Sequence, residues 1–188
     1  MRTPILAVSF ALLTLACQST DSQASSSLPA DTDQVTDGPE VQVVDAAQRD
    51  ALFSVVTALE GKWSGAAADG QAGTSTFEVT SNGSAVRETM LPGTPSEMTN
   101  MYTLDGNSLV MTHYCAGGNQ PTMRAANFAD GRLEFQFDGV RDLKAADEVY
   151  MGEMTLVIVD ENTIEQHWSA LKGGEFDHDM VIKMAREE

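Results

Sequence analysis

MTNMYTLDGNSLVMTHY, residues 98–114, contains two runs of alternating apolar and polar side chains with Asp105-Gly106 between them. Alternation with a period of two is typical of a β-strand that has one face on a hydrophobic core. Asp-Gly accepts the positive φ angles of a tight hairpin turn. The stretch therefore predicts a β-hairpin.

The same pattern recurs about every ten residues from position 62 to the C-terminus. The predicted strands are Lys62–Ala67, Thr74–Ser81, Ala85–Leu91, Met98–Leu104, Ser108–Tyr114, Thr122–Phe128, Arg132–Asp138, Tyr150–Val159, Thr163–Ala170 and Asp177–Met184. An open meander of this length leaves two unpaired edges, so closure is favoured. We predict an all-β fold, an antiparallel up-and-down β-barrel of eight to ten strands that is wide enough for a small ligand.

One helix is predicted ahead of the first strand. Asp45 is suitable as its N-cap and Gly61 as its stop, and apolar residues lie between them at helical spacing. These are Leu52, Val55, Val56 and Leu59. We expect the helix to cover one end of the barrel, and we assign residues 41–188 to the barrel domain.

The N-terminus has the features of an export signal. Arg2 precedes a short apolar run that ends at Cys17. Because the run is too short for a permanent membrane-spanning helix, we interpret residues 1–16 as a cleaved signal peptide. Residues 17–40 are rich in Ser, Thr, Asp, Gln and Pro, a composition that cannot bury enough apolar surface to fold. This segment is predicted to be a disordered tether.

Leu13-Thr14-Leu15-Ala16-Cys17 resembles the lipobox of bacterial lipoproteins, in which the Cys is acylated and becomes the new N-terminus. Thr14 stands where that class prefers a branched aliphatic residue, so ordinary secretory cleavage remains an alternative. Gln18 follows the Cys, which in this class implies the outer membrane. The resemblance implies a lipid-anchored protein of the bacterial cell envelope that faces the periplasm.

Composition limits the partners. The chain has 11 Lys and Arg against 28 Asp and Glu, a formal net charge of −17, and loss of Arg2 with the signal makes it more negative. Such a charge repels phosphate backbones and anionic headgroups, so we expect no nucleic acid partner and membrane contact only through the anchor. The chain has two cysteines, so a disulfide framework is not indicated, and Cys115 is a lone thiol if Cys17 is acylated.

Gly61-Lys62-Trp63-Ser64-Gly65 lies on the first predicted strand and resembles the Gly-x-Trp start of lipocalins and other calycin barrels. In that family the Trp closes one end of the barrel, and an Arg from the final strand region covers it. The resemblance implies structural roles for Gly61 and Trp63, and for Arg186 as the residue that covers Trp63 in a cation–π contact.

Residues 91–98, 101–106 and 109–121 resemble a bacterial family of lipocalin-like barrels of unknown function, and the likeness extends from about Leu59 to the C-terminus. A related group, the nitrobindin-like haem barrels, opens with Gly-x-Trp-x-Gly-x-Gly. This chain has Ala67 at the last Gly and no matching haem-ligating His. The resemblance implies a fold more than a function, and no cofactor is predicted.

Met111, His113 and Cys115 are spaced two residues apart, so they are expected to share one face of a strand. We predict that these three residues, with Tyr102 and Asn119, line the barrel and contact the ligand. The alternative is a packed His and a buried thiol that acts as a small hydrophobe.

His167 could add a metal ligand only if its side chain points inward, since two donors on one strand are too few for zinc. Ile164 and Trp168 share the other face of that strand, and their apolar character places His167 outside. We therefore predict no metal site.

Three functions remain open. The first is binding of a small hydrophobic or amphipathic ligand, which requires a cavity of roughly a few hundred Å³ to whose lining methionines contribute. The second is a haem, metal or enzymatic barrel that uses His113 and Cys115. No known cysteine-hydrolase signature surrounds Cys115, so an enzyme is less expected. The third is a structural or interaction module of the envelope with a filled barrel and an apolar surface patch.

Overall fold

Helix α1 spans Ala46–Thr57 in the computed structural model, which describes residues 43–188. The Asp45 side chain caps it by accepting hydrogen bonds from two backbone N–H groups of the first turn. Leu52 and Val56 are buried on its inner face. The predicted helix and its cap are therefore confirmed, although the helix ends before Gly61.

The predicted signal peptide, the acylated Cys17 and the tether lie outside the described residues. Within residues 43–188, no helix is long and apolar enough to cross a membrane.

Eleven strands follow α1 in the described part of the chain. They are β1 Gly61–Ala67, β2 Ala72–Thr80, β3 Ala85–Met90, β4 Met98–Asp105, β5 Ser108–Tyr114, β6 Gln120–Ala125, β7 Phe128–Ala129, β8 Arg132–Arg141, β9 Val149–Asp160, β10 Thr163–Lys172 and β11 Glu175–Arg186. The strand predicted over Thr122–Phe128 is wrong at both ends, because β6 begins earlier and Phe128 belongs to the two-residue strand β7.

All neighbouring strands of the ring are antiparallel. Consecutive strands pair from β1 to β6 and from β8 to β11, β1 pairs with β11, and β6 pairs with β8 across the short β7. The sheet therefore closes into a ten-stranded up-and-down barrel, with β7 outside the ring. This confirms the predicted fold class at the upper end of the predicted strand number.

Helix α1 covers the end of the barrel at which β1 begins and β11 ends, which we name the closed end. Its first turn is tied to two hairpin loops there, because Asp45 and Gln48 hydrogen-bond to Asn107 and Gln48 also bonds to the Ala126 carbonyl. The opposite end, which we name the open end, carries the β3–β4, β5–β6 and β8–β9 loops.

Trp63 fills the closed end. Its ring is 1 % exposed, its indole N–H donates to the Leu59 carbonyl at 2.8 Å, and the Arg186 guanidinium lies 4.3 Å from the ring centroid. The same guanidinium donates to the carbonyls of Ala58 and Glu60, just after α1. These contacts fix the helix to the first and last strands.

The half of the barrel interior next to the closed end is densely packed. Four aromatic rings follow one another from the closed end inward, with centroid separations of 5.9–6.5 Å between Trp63, Phe77, Tyr102 and Phe135. Such offset and edge-on pairs pack densely. Room for a ligand must therefore lie toward the open end.

Candidate functional site

Glu88 is fully buried at the centre of the barrel. Four neutral donors converge on its carboxylate. Ser75 Oγ and Gln166 Nε2 donate to Oε1 at 2.6 and 2.7 Å, and Asn100 Nδ2 and Tyr102 Oη donate to Oε2 at 2.7 Å each. The sequence places Glu88 there because β3 alternates, and Val86 and Met90 on either side of it are also buried.

Within residues 43–188, no Lys or Arg forms an ion pair with Glu88, so hydrogen bonds alone stabilise this carboxylate. Burial, and then the nearby Glu88 charge, raise the pKa of Tyr102 well above its usual value. Tyr102 is therefore protonated at neutral pH and acts as a donor.

The orientation of Asn100 determines the tautomer of His113. Because the Asn100 amide nitrogen faces Glu88, its carbonyl oxygen must face His113, and it lies 2.6 Å from Nδ1. An oxygen acceptor requires Nδ1 to carry the proton. Nε2 of the neutral ring is then a lone pair.

His113 is deeply buried, and its ring lies 5.2 Å from that of Trp168. Burial lowers its pKa to about 4, so the ring is neutral at pH 7. No group within residues 43–188 hydrogen-bonds to Nε2. The barrel therefore holds a buried, neutral imidazole whose Nε2 lone pair has no donor among the described residues.

Asn119 supplies a second acceptor of the same kind. It is 1 % exposed and directly precedes β6, and its amide nitrogen donates to Glu148 Oε1 and the Val149 carbonyl. Because both partners are acceptors, the amide orientation is fixed, and Oδ1 has no partner among the described residues. The bonds also tie the β5–β6 loop to the β8–β9 loop at the open end.

A narrow opening leads from the open end toward Glu88. We name it the methionine crevice, since four thioether side chains line it with Ser75 and Ile182: Met90, Met98, Met180 and Met184. Its volume is about 60 Å³. The predicted cavity of a few hundred Å³ is therefore wrong in size, because large side chains fill most of the interior.

Cys115 does not share the environment of Met111 and His113. Met111 is fully buried in β5, but β5 ends at Tyr114, so strand alternation stops before Cys115. The Cys115 side chain is half-buried in the loop, and its sulfur accepts from the Gly117 N–H at 3.4 Å. The prediction that these three residues share one strand face is thus wrong for Cys115.

His167 lies on the outward face of β10, as predicted, and contacts Glu165 at 3.0 Å. Ile164, Gln166 and Trp168 are buried on the other face. Gln166 Oε1 accepts from the Trp168 indole at 3.3 Å, which directs its amide nitrogen to Glu88.

Sequence reasoning missed Ser75, Glu88, Asn100 and Gln166 as site residues. Each occupies an inward position between apolar neighbours, for example Gln166 between Ile164 and Trp168. Polar residues at core positions of an alternating strand are therefore the signal that could have found them. We name these four residues with Tyr102 and His113 the buried polar network.

No three His, Cys, Asp or Glu side chains cluster suitably for a metal within residues 43–188. A haem does not fit the crevice either, because about 60 Å³ is far below the volume of pockets that hold large ligands.

The fold and the site define a class, a closed ten-stranded antiparallel barrel with a buried polar network at its centre. This architecture is consistent with the lipocalin-like resemblance. No model of a known protein family matches the chain, and no curated protein matches it significantly.

Proposed function

We propose that the protein binds a small amphipathic molecule through the open end of its barrel, and that it does so as a lipid-anchored protein of the bacterial envelope. The single observation that supports binding most strongly is the methionine crevice, which ends at Ser75 and hence at the buried polar network. An apolar channel that leads to convergent polar groups is the usual arrangement of a small-molecule site.

The cost of the network supports a role beyond stability. A buried carboxylate with no cation partner is expensive to desolvate, and an apolar core of similar volume is often as stable or more so. Two buried acceptors also lack protein partners within residues 43–188. Unsatisfied buried polar groups are rare in folded proteins and call for an explanation, and a ligand that completes their hydrogen bonds supplies one.

The dimensions favour a small ligand. A cavity of about 60 Å³ is well below the roughly 300–1,000 Å³ of drug-sized sites. Methionine side chains have three rotatable bonds and polarizable sulfurs, so they can widen an opening at low cost. The ligand is thus a short molecule or one that displaces these side chains.

Native mass spectrometry of the protein purified from its own envelope tests this proposal. The expected result is a small mass adduct that is lost on organic extraction. Met98→Trp fills the crevice and should abolish the adduct, whereas Thr103→Trp, on the outer face of the same strand, should retain it. An adduct that survives Met98→Trp contradicts the proposed site.

The anchor has its own test, metabolic labelling with a palmitate analogue followed by membrane fractionation. We expect label and outer-membrane association in the native chain and neither in Cys17→Ser. An unlabelled native chain found free in the periplasm would support ordinary secretory cleavage instead.

A second candidate function is an interaction module. An apolar groove of about 300 Å³ lies outside the closed end, between α1 and β7, and Val55, Leu59, Phe128 and Ile158 are among its lining residues. A photo-crosslinker at Phe128 in living cells tests this function. Reproducible crosslinks to one envelope protein favour the module, and their absence favours the ligand-binding function alone.

A further inference from the structure

Four donors of the buried polar network are directed at one residue, Glu88. The Ser75 hydroxyl and the amide nitrogens of Asn100 and Gln166 all donate to Glu88. A hydroxyl has one hydrogen and two lone pairs. Ser75 Oγ, which lines the crevice, therefore offers only acceptor capacity to a ligand.

The atoms left without partners show the same bias. Within the described residues, the two buried side-chain atoms that lack a hydrogen bond are His113 Nε2 and Asn119 Oδ1. Each is an acceptor because its neighbours fix its orientation, through Asn100 in one case and Glu148 in the other. Neither residue lines the methionine crevice, but their unpaired atoms are acceptors, as Ser75 Oγ is.

The charge of Glu88 places a second requirement on a ligand in the crevice. The Glu88 carboxylate lies 2.6 Å behind Ser75 Oγ, and among residues 43–188 no Lys, Arg, Asp or Glu side chain lines the crevice. In a low-dielectric interior an unpaired carboxylate creates a strongly negative potential. That potential favours a cation in the crevice and opposes a carboxylate or phosphate.

The size and the lining of the methionine crevice define the rest of the ligand. If each water-sized group needs about 10–15 Å³, a cavity of about 60 Å³ accepts about four to six non-hydrogen atoms. Met90, Met98, Met180 and Met184 provide an apolar wall for an alkyl chain.

We infer that the crevice binds short primary aliphatic amines, with the ammonium donating to Ser75 Oγ in front of Glu88 and the alkyl chain against the methionines. This inference rests on the proposed function and specifies the ligand head group. It excludes fatty acids and other anionic amphiphiles from the same position.

Isothermal titration of the full chain at pH 7 with three four-carbon probes tests the inference: butylammonium, 1-butanol and butyrate. We expect butylammonium to bind at least about tenfold more tightly than 1-butanol, since a charge-assisted contact is the stronger one, and butyrate not to bind. Butanol or butyrate binding as tightly as butylammonium overturns the head-group inference and leaves the proposed function intact.

Absence of butylammonium binding also overturns the inference. The proposed function is then decided separately by the native mass measurement, which presupposes no ligand chemistry. A native adduct together with no amine binding means that the barrel has a ligand of another class.

Glu88→Gln removes the charge at nearly constant shape and should weaken butylammonium binding at least about tenfold. Glu153→Gln makes the same charge change on the outer face of β9 and should leave binding unchanged. A folded Glu88→Gln variant that binds as tightly as the native chain refutes the inference. If this variant does not fold, Ser75→Ala and the amine-to-alcohol comparison on the native chain still test it.

Discussion

The closed end and the open half of the barrel both bury polar groups, but they satisfy them differently. At the closed end, the Trp63 indole and the Arg186 guanidinium donate to backbone carbonyls and stack on each other. In the open half, His113 Nε2 and Asn119 Oδ1 have no partner among residues 43–188. Hydrogen-bond satisfaction thus separates the end that stabilises the barrel from the half in which we propose that a ligand binds.

The comparison predicts, first, that the closed end contributes more to the free energy of unfolding than the open half does. Trp63→Ala should lower the free energy of unfolding by about 4 kcal/mol, because it leaves a large cavity under α1 and removes the Arg186 stacking partner. Chemical denaturation measures this. Phe176→Ala changes an exposed aromatic residue and should cost less than about 0.5 kcal/mol. A loss below about 1.5 kcal/mol for Trp63→Ala would contradict the larger contribution of the closed end.

The second prediction concerns pH in the open half. His113 titrates near 6.5 when unfolded and at about 4 when folded, so the unfolded chain binds more protons between these values. The neutral, buried His113 ring makes its full contribution to the free energy of unfolding above pH 6.5. This contribution is lost as pH falls toward 4. Between pH 7.5 and 5, stability should fall by about 2 kcal/mol from this group alone.

Denaturant unfolding at the two pH values, with His113→Phe and His178→Gln, checks this assignment. His113→Phe should remove that part of the pH dependence, and His178→Gln, which changes an exposed ring, should retain it. An unchanged profile in His113→Phe means that the ring is solvated and that the open half is looser than the closed end.

The closed end was the more predictable region. Trp63 and Arg186 were assigned from a short motif and chain order, because end closure in such barrels uses local contacts beside the first and last strands. The Asp45 cap and the β-hairpin turns follow local rules as well. The fold class followed because alternation and turn residues repeat along the chain.

The buried polar network was less predictable because it joins five strands across the barrel. Strand alternation places Glu88 and Gln166 inward, but only the closed ring brings them to 2.7 Å across 78 residues of sequence. The cavity size was predicted wrongly for a related reason. Strand number determines the barrel width, whereas Phe77, Phe135 and the methionines determine how much of it remains empty.

The third prediction measures how tightly the network holds Glu88. Tyr102→Phe removes one hydrogen bond to the carboxylate and leaves the ring in place, so we expect a loss of about 1.5 kcal/mol. Tyr114→Phe removes an exposed hydroxyl from the neighbouring strand and should cost almost nothing. Equal effects in the two variants would show that the Tyr102 bond is dispensable.

The smallest expected effect tests whether the two regions are independent. Arg186→Lys keeps the charge but loses the planar group that stacks on Trp63 and reaches the carbonyls of Ala58 and Glu60, at a cost of about 1 kcal/mol. Arg132→Lys changes an exposed Arg and should be neutral. The aromatic rings next to the closed end separate Arg186 from the methionine crevice. The fraction of protein that carries the adduct in native mass spectrometry should therefore not change. Reduced occupancy in Arg186→Lys would mean that the closed end positions the open half as well as stabilising the barrel.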